Sequence, residues 1–206
     1  MEFDWLKIAK EIQSVAQAGL TFSENKYDIE RYQQLRELSI KIMHFYTDVP
    51  IKKIRDLFAN ETGYQTPKVD IRAVVFRNGK ILMVRETIDG LWSLPGGWAD
   101  INYSPFENAA KEVSEEAGID VTPKRLLAVY DKSKNPDHPN DIYHIYKMFI
   151  LCIDSGQIVK TGMETSDVNW FNRNSIPPLS TPRITISQII KMFEYYDSPD
   201  LITFCD

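Results

Sequence analysis

The sequence is poor in the side chains that most often build preassembled metal or disulfide sites, because it has only 3 histidines and 2 cysteines among 206 residues. Cys152 and Cys205 show neither paired nor zinc-type spacing, so we predict two free thiols and a reducing compartment. No apolar run approaches the length of a membrane span, and the N-terminus is acidic where a secretory leader is basic. We therefore expect a cytoplasmic protein.

An excess of positive charge is lacking as well. The chain has 24 Lys and Arg against 29 Asp and Glu, which gives a net charge of −5. This balance argues against bulk electrostatic binding of DNA or RNA, so we expect no stable nucleic-acid complex, although a cation-loaded site could still accept a polyanionic substrate. A hydrophobic content of 43% over this length suffices for one full core, or for a core and a small second domain.

Hydrophobic periodicity divides the chain near residue 64. Before that point apolar residues recur at helical spacing in three segments, the first reaching Gly19, the second ending before Asp48 and the third running from Pro50 to about Asn60. The predicted apolar stripes are Trp5, Ile8, Ala9, Ile12, Val15 and Ala16, then Leu35, Leu38, Ile42 and Phe45, then Ile51, Ile54, Leu57 and Phe58. Three short helices cannot bury all their apolar faces by themselves. Residues 1–64 are therefore predicted to form a helical domain that packs on the second domain or makes a homodimer.

Residues 65–206 have a strand-like texture. "KVDIRAVVFRNGKILMVRET" contains two β-branched runs joined by Asn78-Gly79, which predicts a hairpin. Further strands are expected in "LWSLPGG", "KRLLAVYDKS", "DIYHIYKMFILCI" and "DVNWFNRNSI", with one helix inserted among them and a last helix in "ITISQIIKMFEYY". This order predicts an α+β fold, a mixed sheet sandwiched by helices, rather than a doubly wound parallel sheet.

The inserted helix has well-specified ends. Ser104 is the predicted N-cap, Pro105 occupies the first helical position, and Glu107 completes a Ser-x-x-Glu capping box. Gly118 follows the last helical residue and predicts the end of the helix.

Three glutamates share one turn of this helix. Glu112, Glu115 and Glu116 stand at i, i+3 and i+4, where like charges repel by a few tenths of a kcal/mol per pair. A solvated acidic face is the ordinary interpretation of such a run. A cation site is the alternative, and it is favoured because only Lys111 offers an opposite charge and because the preceding Pro-Gly-Gly leaves backbone carbonyls open to an ion. Oxygen ligands of this kind suit Mg²⁺ or Mn²⁺.

Residues 97–119 resemble the Nudix box, in which Gly, five residues, Glu, seven residues and Arg-Glu-apolar-x-Glu-Glu-x-Gly-apolar follow one another. Gly97, Glu112, Val113, Glu115, Glu116, Gly118 and Ile119 match it in register. Tyr103 and Lys111 replace a glutamate and an arginine that usually form a structural pair in that family. Similarity extends to "VDIRAVVF", "LWSLPGGWAD", "HIYKMFILC", "METSDVNWF" and "PPLSTPRIT", and with the helical N-terminal module it resembles a bacterial subgroup of ADP-ribose and CDP-choline pyrophosphatases.

The resemblance implies metal-dependent hydrolysis of a nucleoside diphosphate linked to a second moiety X, with CDP-choline to CMP and phosphocholine as the expected reaction. Alternatives are ADP-ribose hydrolysis, trimming of RNA ends, and a Nudix-fold sensor that binds a nucleotide without hydrolysing it. The implied cofactor is Mg²⁺, with Mn²⁺ as a substitute. The implied metal ligands are the Gly97 carbonyl, Glu112, Glu115 and Glu116. Glu164 joins these three glutamates as a catalytic candidate, and the general base is left open between Glu164, a box glutamate and none.

Three further residues are candidates for substrate contacts. Arg85, at the end of the "ILMVR" strand, resembles a phosphate-contacting arginine, with a solubilising edge charge as the alternative, and Arg72 is a second arginine candidate. Tyr146 is the aromatic candidate, taken from a larger group in which most members are expected to be core, namely Trp92, Trp98, Tyr103 and Tyr143. His138 and His144 lack metal-type spacing, and we expect structural or loop positions for them.

Overall fold

A computed structural model of the chain describes residues 4–206, so residues 1–3 of the predicted first domain and the side chain of Leu57 lie outside the described part. The structure divides into two compact units, the first reaching Pro67 and including Asn140–His144, the second comprising Lys68–Pro139 and Ile145–Asp206.

The first unit is helical, as the periodicity predicts. Its helices are α1 (Trp5–Phe22), α2 (Lys26–Thr47) and α3 (Ile51–Leu57). The Asp4 carboxylate caps α1 by accepting from Lys7 N–H at 2.9 Å, and the Asn25 side chain caps α2 by accepting from Tyr27 N–H at 2.9 Å. Their shared core is formed by Leu6, Ala9, Ile40, Met43, Ile54, Phe58, Ala59 and Ile142.

Two details of the helical prediction are wrong. Helix α1 runs through Gly19, which lies against α2, since an added Cβ there would stand 2.4 Å from ring atoms of Tyr32. The buried residues of α2 include Ile40 and Met43, whereas Leu38 and Phe45 of the predicted stripe are 52% and 77% exposed. The helix is thus rotated from the predicted orientation because the close approach at Gly19 sets its contact face.

The second unit is built on a mixed β-sheet. Its strands are β1 (Lys68–Arg77), β2 (Lys80–Glu86), β3 (Trp92–Ser93), β4 (Gly96–Trp98), β5 (Val121–Asp131), β6 (Ile145–Asp154), β7 (Thr165–Phe171) and β8 (Phe204–Cys205), and its helices are α4 (Pro105–Ala117) and α5 (Ile186–Asp197), with 3-10 turns at Lys132–Lys134 and Arg173–Ser175. The strand order is β3-β2-β1-β6-β5-β8, with β4 beside β1 and β7 beside β2. The β1–β6 and β5–β8 pairs are parallel, and the other pairs are antiparallel.

Each face of the sheet packs against one helix. Leu82 and Val84 of β2 join α4 in one hydrophobic cluster, while Ile81 and Met83 join α5 in the other. This alternation is the period of two expected of a strand buried on both faces. The predicted α+β sandwich, preceded by a helical region, is confirmed.

The predicted hairpin and the two predicted free thiols are confirmed. Asn78 and Gly79 have φ of 51° and 75°, the paired left-handed conformations of the predicted tight hairpin between β1 and β2. Cys152 is a buried free thiol and Cys205 an exposed one. None of the helices in residues 4–206 is long and apolar enough to cross a membrane. Strand β6 begins at Ile145, so His144 precedes the strand that was predicted to contain it.

Candidate active site

Helix α4 begins at the predicted capping box. Ser104 Oγ accepts from Glu107 N–H at 3.3 Å, and Glu107 Oε2 accepts from Ser104 N–H at 2.8 Å. Gly118 ends the helix in the left-handed conformation, with φ of 64°. Both ends of the helix therefore lie where the sequence predicts them.

The segment after β6 holds the C-terminal end of α4. Lys160 N–H donates to the Ala117 carbonyl at 2.9 Å, and the buried Thr165 hydroxyl donates to the Glu116 carbonyl at 2.8 Å. At Gly162 an added Cβ would stand 1.8 Å from the Glu115 carbonyl oxygen, so this segment touches the helix backbone directly. The turn that carries Glu115 and Glu116 is fixed by these contacts.

Two glutamates of α4 meet the Gly96–Gly97 turn. Glu116 Oε2 accepts from Gly96 N–H at 2.9 Å, and an added Cβ at Gly97 would lie 3.4 Å from Glu112 Oε1. Gly96 has φ of 144°, and a Cβ there would stand 2.0 Å from the Ile71 carbonyl oxygen, so only glycine fits. Glu112 and Glu116 are thereby brought to one short piece of backbone.

These two carboxylates are poorly solvated. Burial is the main cause that raises the pKa of Glu116 to about 8, and Glu112 and Glu86 raise it further, against the lowering effects of Gly96 N–H and Arg72. Burial likewise raises the pKa of Glu112 above its ordinary value. The ionised forms are disfavoured in the metal-free site, and a bound cation would reverse that preference.

Glu115 faces away from this pair. Its side chain is 57% exposed, and its carboxylate accepts from Lys111 Nζ at 2.7 Å, while Lys111 Nζ also lies 3.1 Å from Asp100 Oδ2. Asp100 is held in turn because its N–H donates to the buried Asn108 side chain at 2.9 Å. Asp100, three residues before the exposed Tyr103, therefore supplies the carboxylate that braces Lys111.

Arg72 lies in a buried ionic cluster. Its Nε and Nη2 donate to the two Asp70 oxygens at 2.9 and 2.7 Å, and its Nη1 donates to Ser93 Oγ and the Leu94 carbonyl at 3.1 Å each. Lys147 Nζ donates to Asp70 Oδ1 at 2.6 Å, and burial is the main cause that lowers the pKa of Lys147 to about 8. Arg72 is only 3% exposed, and its contacts are all within this cluster, so its predicted contact with substrate stays a prediction.

The other candidates lie in more exposed positions. Arg85 Nε donates to the Gly90 carbonyl at 2.7 Å, across the loop that follows β2. The exposed Glu164 lies between β6 and β7, and its carbonyl accepts from Thr87 N–H and Oγ1 at 3.1 and 2.8 Å. Tyr146 is 40% exposed on β6. The roles of Arg85 and Tyr146 in substrate binding stay predictions.

Glu86 is a carboxylate that the sequence reasoning missed. Counted from Leu82 and Val84, alternation places it on the α4 side, and it is buried next to the exposed Arg85, with irregular pairing to β7 between these two residues. The side chain is buried, pairs with Arg183 Nε at 3.1 Å, and has its pKa raised mainly by burial, with Glu164 a smaller contributor. The signal that could have found it is the alternation in "ILMVRE".

His138, Trp92 and Tyr143 take structural positions, whereas Trp98, Tyr103 and Tyr146 are exposed, against the expectation that most of these aromatic residues are core. His138 Nδ1 donates to the Thr181 carbonyl at 2.6 Å, and burial is the main cause that lowers its pKa to about 4. Trp92 packs edge-on against Phe171 in the core near α5. Tyr143 belongs to the helical unit, where it packs edge-on against Phe58. Trp98, at the end of β4, is half exposed.

The donor set fits a hard cation that keeps part of its water shell. In residues 4–206 no three His, Cys, Asp or Glu side chains are grouped as a ready-made metal cage. Mg²⁺ needs no such cage, since proteins commonly hold it with one or two carboxylates together with waters and substrate phosphates. Two desolvated carboxylates beside an open glycine turn meet that requirement.

Comparison with protein families agrees with this geometry. Residues 66–190 match the model of the NUDIX domain, and residues 3–58 match that of a UDP-X-like, N-terminal oligomerisation domain. The chain belongs to the Nudix family. It is a Nudix hydrolase, a class that generally uses a divalent metal, and the matched range includes the segment of residues 97–119 that resembles the Nudix box.

Individual relatives cover the whole chain or its larger part. A Bacillus subtilis (strain 168) protein, provisionally named ADP-ribose pyrophosphatase YjhB, is 47% identical over 98% of this Nudix chain and 97% of its own. The crystal structure of a UDP-X diphosphatase has a TM-score of 0.64 at 30% identity, covering 98% of each chain. A Streptococcus suis 89-1591 ADP-ribose pyrophosphatase has a TM-score of 0.63 at 41% identity, covering 68% of this chain and 100% of its own.

Proposed function

We propose that the protein hydrolyses the diphosphate bond of a nucleoside diphosphate linked to X, releasing a nucleoside monophosphate and phospho-X. The observation that carries this proposal is the convergence of Glu112 and Glu116 on the Gly96–Gly97 turn in a desolvated setting. A site of this kind concentrates negative charge that a divalent cation neutralises, and the cation in turn attracts a diphosphate.

Each site residue has a part in this proposal. Glu112, Glu116 and the Gly97 carbonyl would hold Mg²⁺, or Mn²⁺ in its place, and the bound ion would supply Lewis-acid polarisation of the diphosphate and a more acidic water. Glu115 is assigned to the side of α4 that faces solvent, where it would act through water bound to the ion or through its ion pair with Lys111. Glu164 stays a candidate general base because its charge contributes to the raised pKa of the buried Glu86.

Two substrates are proposed, which differ in the base and in the moiety X. The resemblance of the sequence to CDP-choline pyrophosphatases supports CDP-choline. The names of the Bacillus subtilis and Streptococcus suis relatives support ADP-ribose. The two share the diphosphate that the metal site would engage, so they differ only in contacts to the base and to X.

One chromatographic assay separates these possibilities. Purified protein with Mg²⁺ is incubated in parallel with CDP-choline, ADP-ribose, a nucleoside triphosphate and a short RNA. CMP from CDP-choline alone, or AMP from ADP-ribose alone, identifies the substrate. Product from the RNA alone would replace the proposal with end trimming, and no product from any arm would replace it with a nucleotide sensor.

We also propose that the helical unit, predicted as residues 1–64, makes a homodimer. Support comes from the match to an oligomerisation domain and from large apolar side chains left exposed on α1 and α2, among them Phe22, Tyr27, Leu38 and Phe45. Light scattering checks this, and a monomer at micromolar concentration would contradict it. The cytoplasmic location stays a prediction.

A further inference from the structure

The segment "PPLSTPRIT", residues 177–185, has no role in the site described above, yet it is fixed firmly. Trp92 N–H donates to the Pro178 carbonyl at 3.0 Å, and Ser180 N–H donates to the Trp92 carbonyl at 2.8 Å. The buried His138 ring adds its bond to the Thr181 carbonyl. The backbone that carries Arg183 is therefore held from two directions.

The Arg183 guanidinium is oriented by two carboxylates. Its Nε lies 3.1 Å from Glu86 Oε1, and its Nη1 lies 3.4 Å from Asp89 Oδ2 and 3.0 Å from Ser180 Oγ. Ser180, which is fully buried, donates to the same Asp89 oxygen at 2.7 Å. Nη1 makes two hydrogen bonds and Nε lies within ion-pair distance of Glu86, whereas Nη2 has no hydrogen-bond partner among residues 4–206. With 27% of the side chain exposed, Nη2 stays available as a donor.

Glu86 links Arg183 to the helix that carries the proposed metal site. It forms the ion pair with Arg183, and it pairs in the sheet with Thr165, whose hydroxyl donates to the Glu116 carbonyl. Glu86 also raises the pKa of Glu116. The other two arginines near this region are engaged differently. Arg72 is buried with Nε, Nη1 and Nη2 all bonded, and Arg85 is exposed with its Nε bonded to the Gly90 carbonyl.

We propose that Arg183 is a substrate-binding residue, which donates from Nη2 to a phosphate oxygen of the diphosphate while Glu86 and Asp89 hold its orientation. This inference rests on the proposed function, because it takes the diphosphate to be bound at Glu112 and Glu116. Arginine suits the task because its fork can bond a carboxylate on one edge and a phosphate on another, which a lysine ammonium on a flexible stem cannot reproduce.

A binding measurement tests the proposal without requiring turnover. The probe is methylenediphosphonate, a diphosphate analogue that cannot be hydrolysed, titrated calorimetrically into the full chain with saturating Mg²⁺. Arg183→Gln is expected to weaken binding by about 10- to 100-fold, the range of a lost hydrogen bond between charged groups. Arg173→Gln is the matched control, since Arg173 pairs with Asp197 and the Phe193 carbonyl at the end of α5 and loses the same charge. It should leave binding unchanged.

A double variant separates contact from charge balance. Arg183→Gln alone leaves the buried Glu86 unpaired, so Glu86→Gln combined with Arg183→Gln restores neutrality there. If Arg183 contacts the diphosphate, the binding loss persists in the double variant even though its thermal stability recovers. Recovery of binding to within about twofold of the wild type would show that Arg183 only neutralises Glu86 and would overturn the proposal.

The same titrations distinguish the two levels of inference. Wild-type protein that binds the probe in an Arg183-dependent way but hydrolyses none of the four assay compounds supports the contact and contradicts the proposed activity. Wild-type protein that hydrolyses a nucleoside diphosphate compound but loses no probe affinity in Arg183→Gln contradicts the contact alone. Wild-type protein that fails to bind the probe overturns the Arg183 proposal.

Discussion

Glu112 and Glu116 leave helix α4 toward the Gly96–Gly97 turn, whereas Glu107 and Glu115 leave it toward solvent and each is bound by a nearby group of the chain. Glu107 accepts from the Ser104 N–H at the helix start, which lowers its pKa. Glu115 has Lys111 one turn away. Within residues 4–206, the direct hydrogen-bond donor to this inner pair is the Gly96 N–H, which bonds Glu116, and the pKa values of both carboxylates are raised.

The difference concerns where the negative charge is compensated. Exposed ion pairs such as Lys111 with Glu115 contribute at most about 1 kcal/mol, because water already stabilises both partners. Buried carboxylates lose that solvation, and their ionisation is unfavourable until an opposite charge arrives. The outer glutamates therefore have partners within the protein, whereas the inner pair has a charge deficit that the proposed divalent cation would fill.

The largest expected effect separates the two pairs by activity. Glu116→Gln should lower kcat by about 10³-fold at saturating Mg²⁺, since it removes one of two charged ligands at the reacting diphosphate. Glu115→Gln is the matched control on the adjacent residue and should lose far less. Near wild-type turnover in Glu116→Gln, measured by direct product chromatography, would contradict the assignment of the inner pair as metal ligands.

Some of this site could be read from sequence and some could not. The ends of α4 depend on Ser104, Glu107 and Gly118, which act on backbone groups within one turn, so local pattern suffices. The division of the glutamates depends on what each meets in space. Asp100 reaches Lys111 only because Asn108 holds the loop, and no spacing rule predicts such a contact.

Long-range contacts also explain the other failures. Glu86 joins the site through strand alternation and an ion pair with Arg183, nearly a hundred residues away along the chain. Helix α2 turns a different face to its core because Tyr32 packs on Gly19 of the neighbouring helix. In both cases tertiary packing decides between local options that the sequence leaves equal.

The second prediction concerns the stability that the buried Arg72 contributes. Arg72→Met should reduce the free energy of unfolding by about 3–5 kcal/mol, because it leaves Asp70 with Lys147 alone in a buried cluster. Arg85→Met, at an exposed arginine, is the control and should change stability little. Urea unfolding measures both. A stable Arg72→Met protein whose only defect is a raised KM would instead restore the substrate contact predicted from the sequence.

The third prediction concerns pH and metal-free protein. The pKa of Glu116 is about 8 in the folded state and near 4.5 when unfolded, so between these values the folded state holds the extra proton. Its contribution to stability is complete below pH 4.5 and is lost as pH rises through 8, which amounts to a few kcal/mol. Thermal unfolding in EDTA should show this decline for the wild type relative to Glu116→Gln, which lacks the titrating group. Parallel curves for the two proteins would contradict a raised Glu116 pKa.

The smallest expected effect tests the outer pair. Lys111→Met removes the cation that contacts both Asp100 and Glu115, at partly exposed positions, and should cost about 0.5 kcal/mol of stability with kcat changed by less than about threefold. Lys111→Arg, which restores the residue usual in the family, is the matched control and should retain both contacts. A loss of turnover in Lys111→Met comparable to that of Glu116→Gln would mean that Glu115 must be held outward for the inner carboxylates to work. The two faces of α4 would then form one coupled unit, because release of Glu115 would add a third negative charge beside Glu112 and Glu116 and change the cation that the turn can hold.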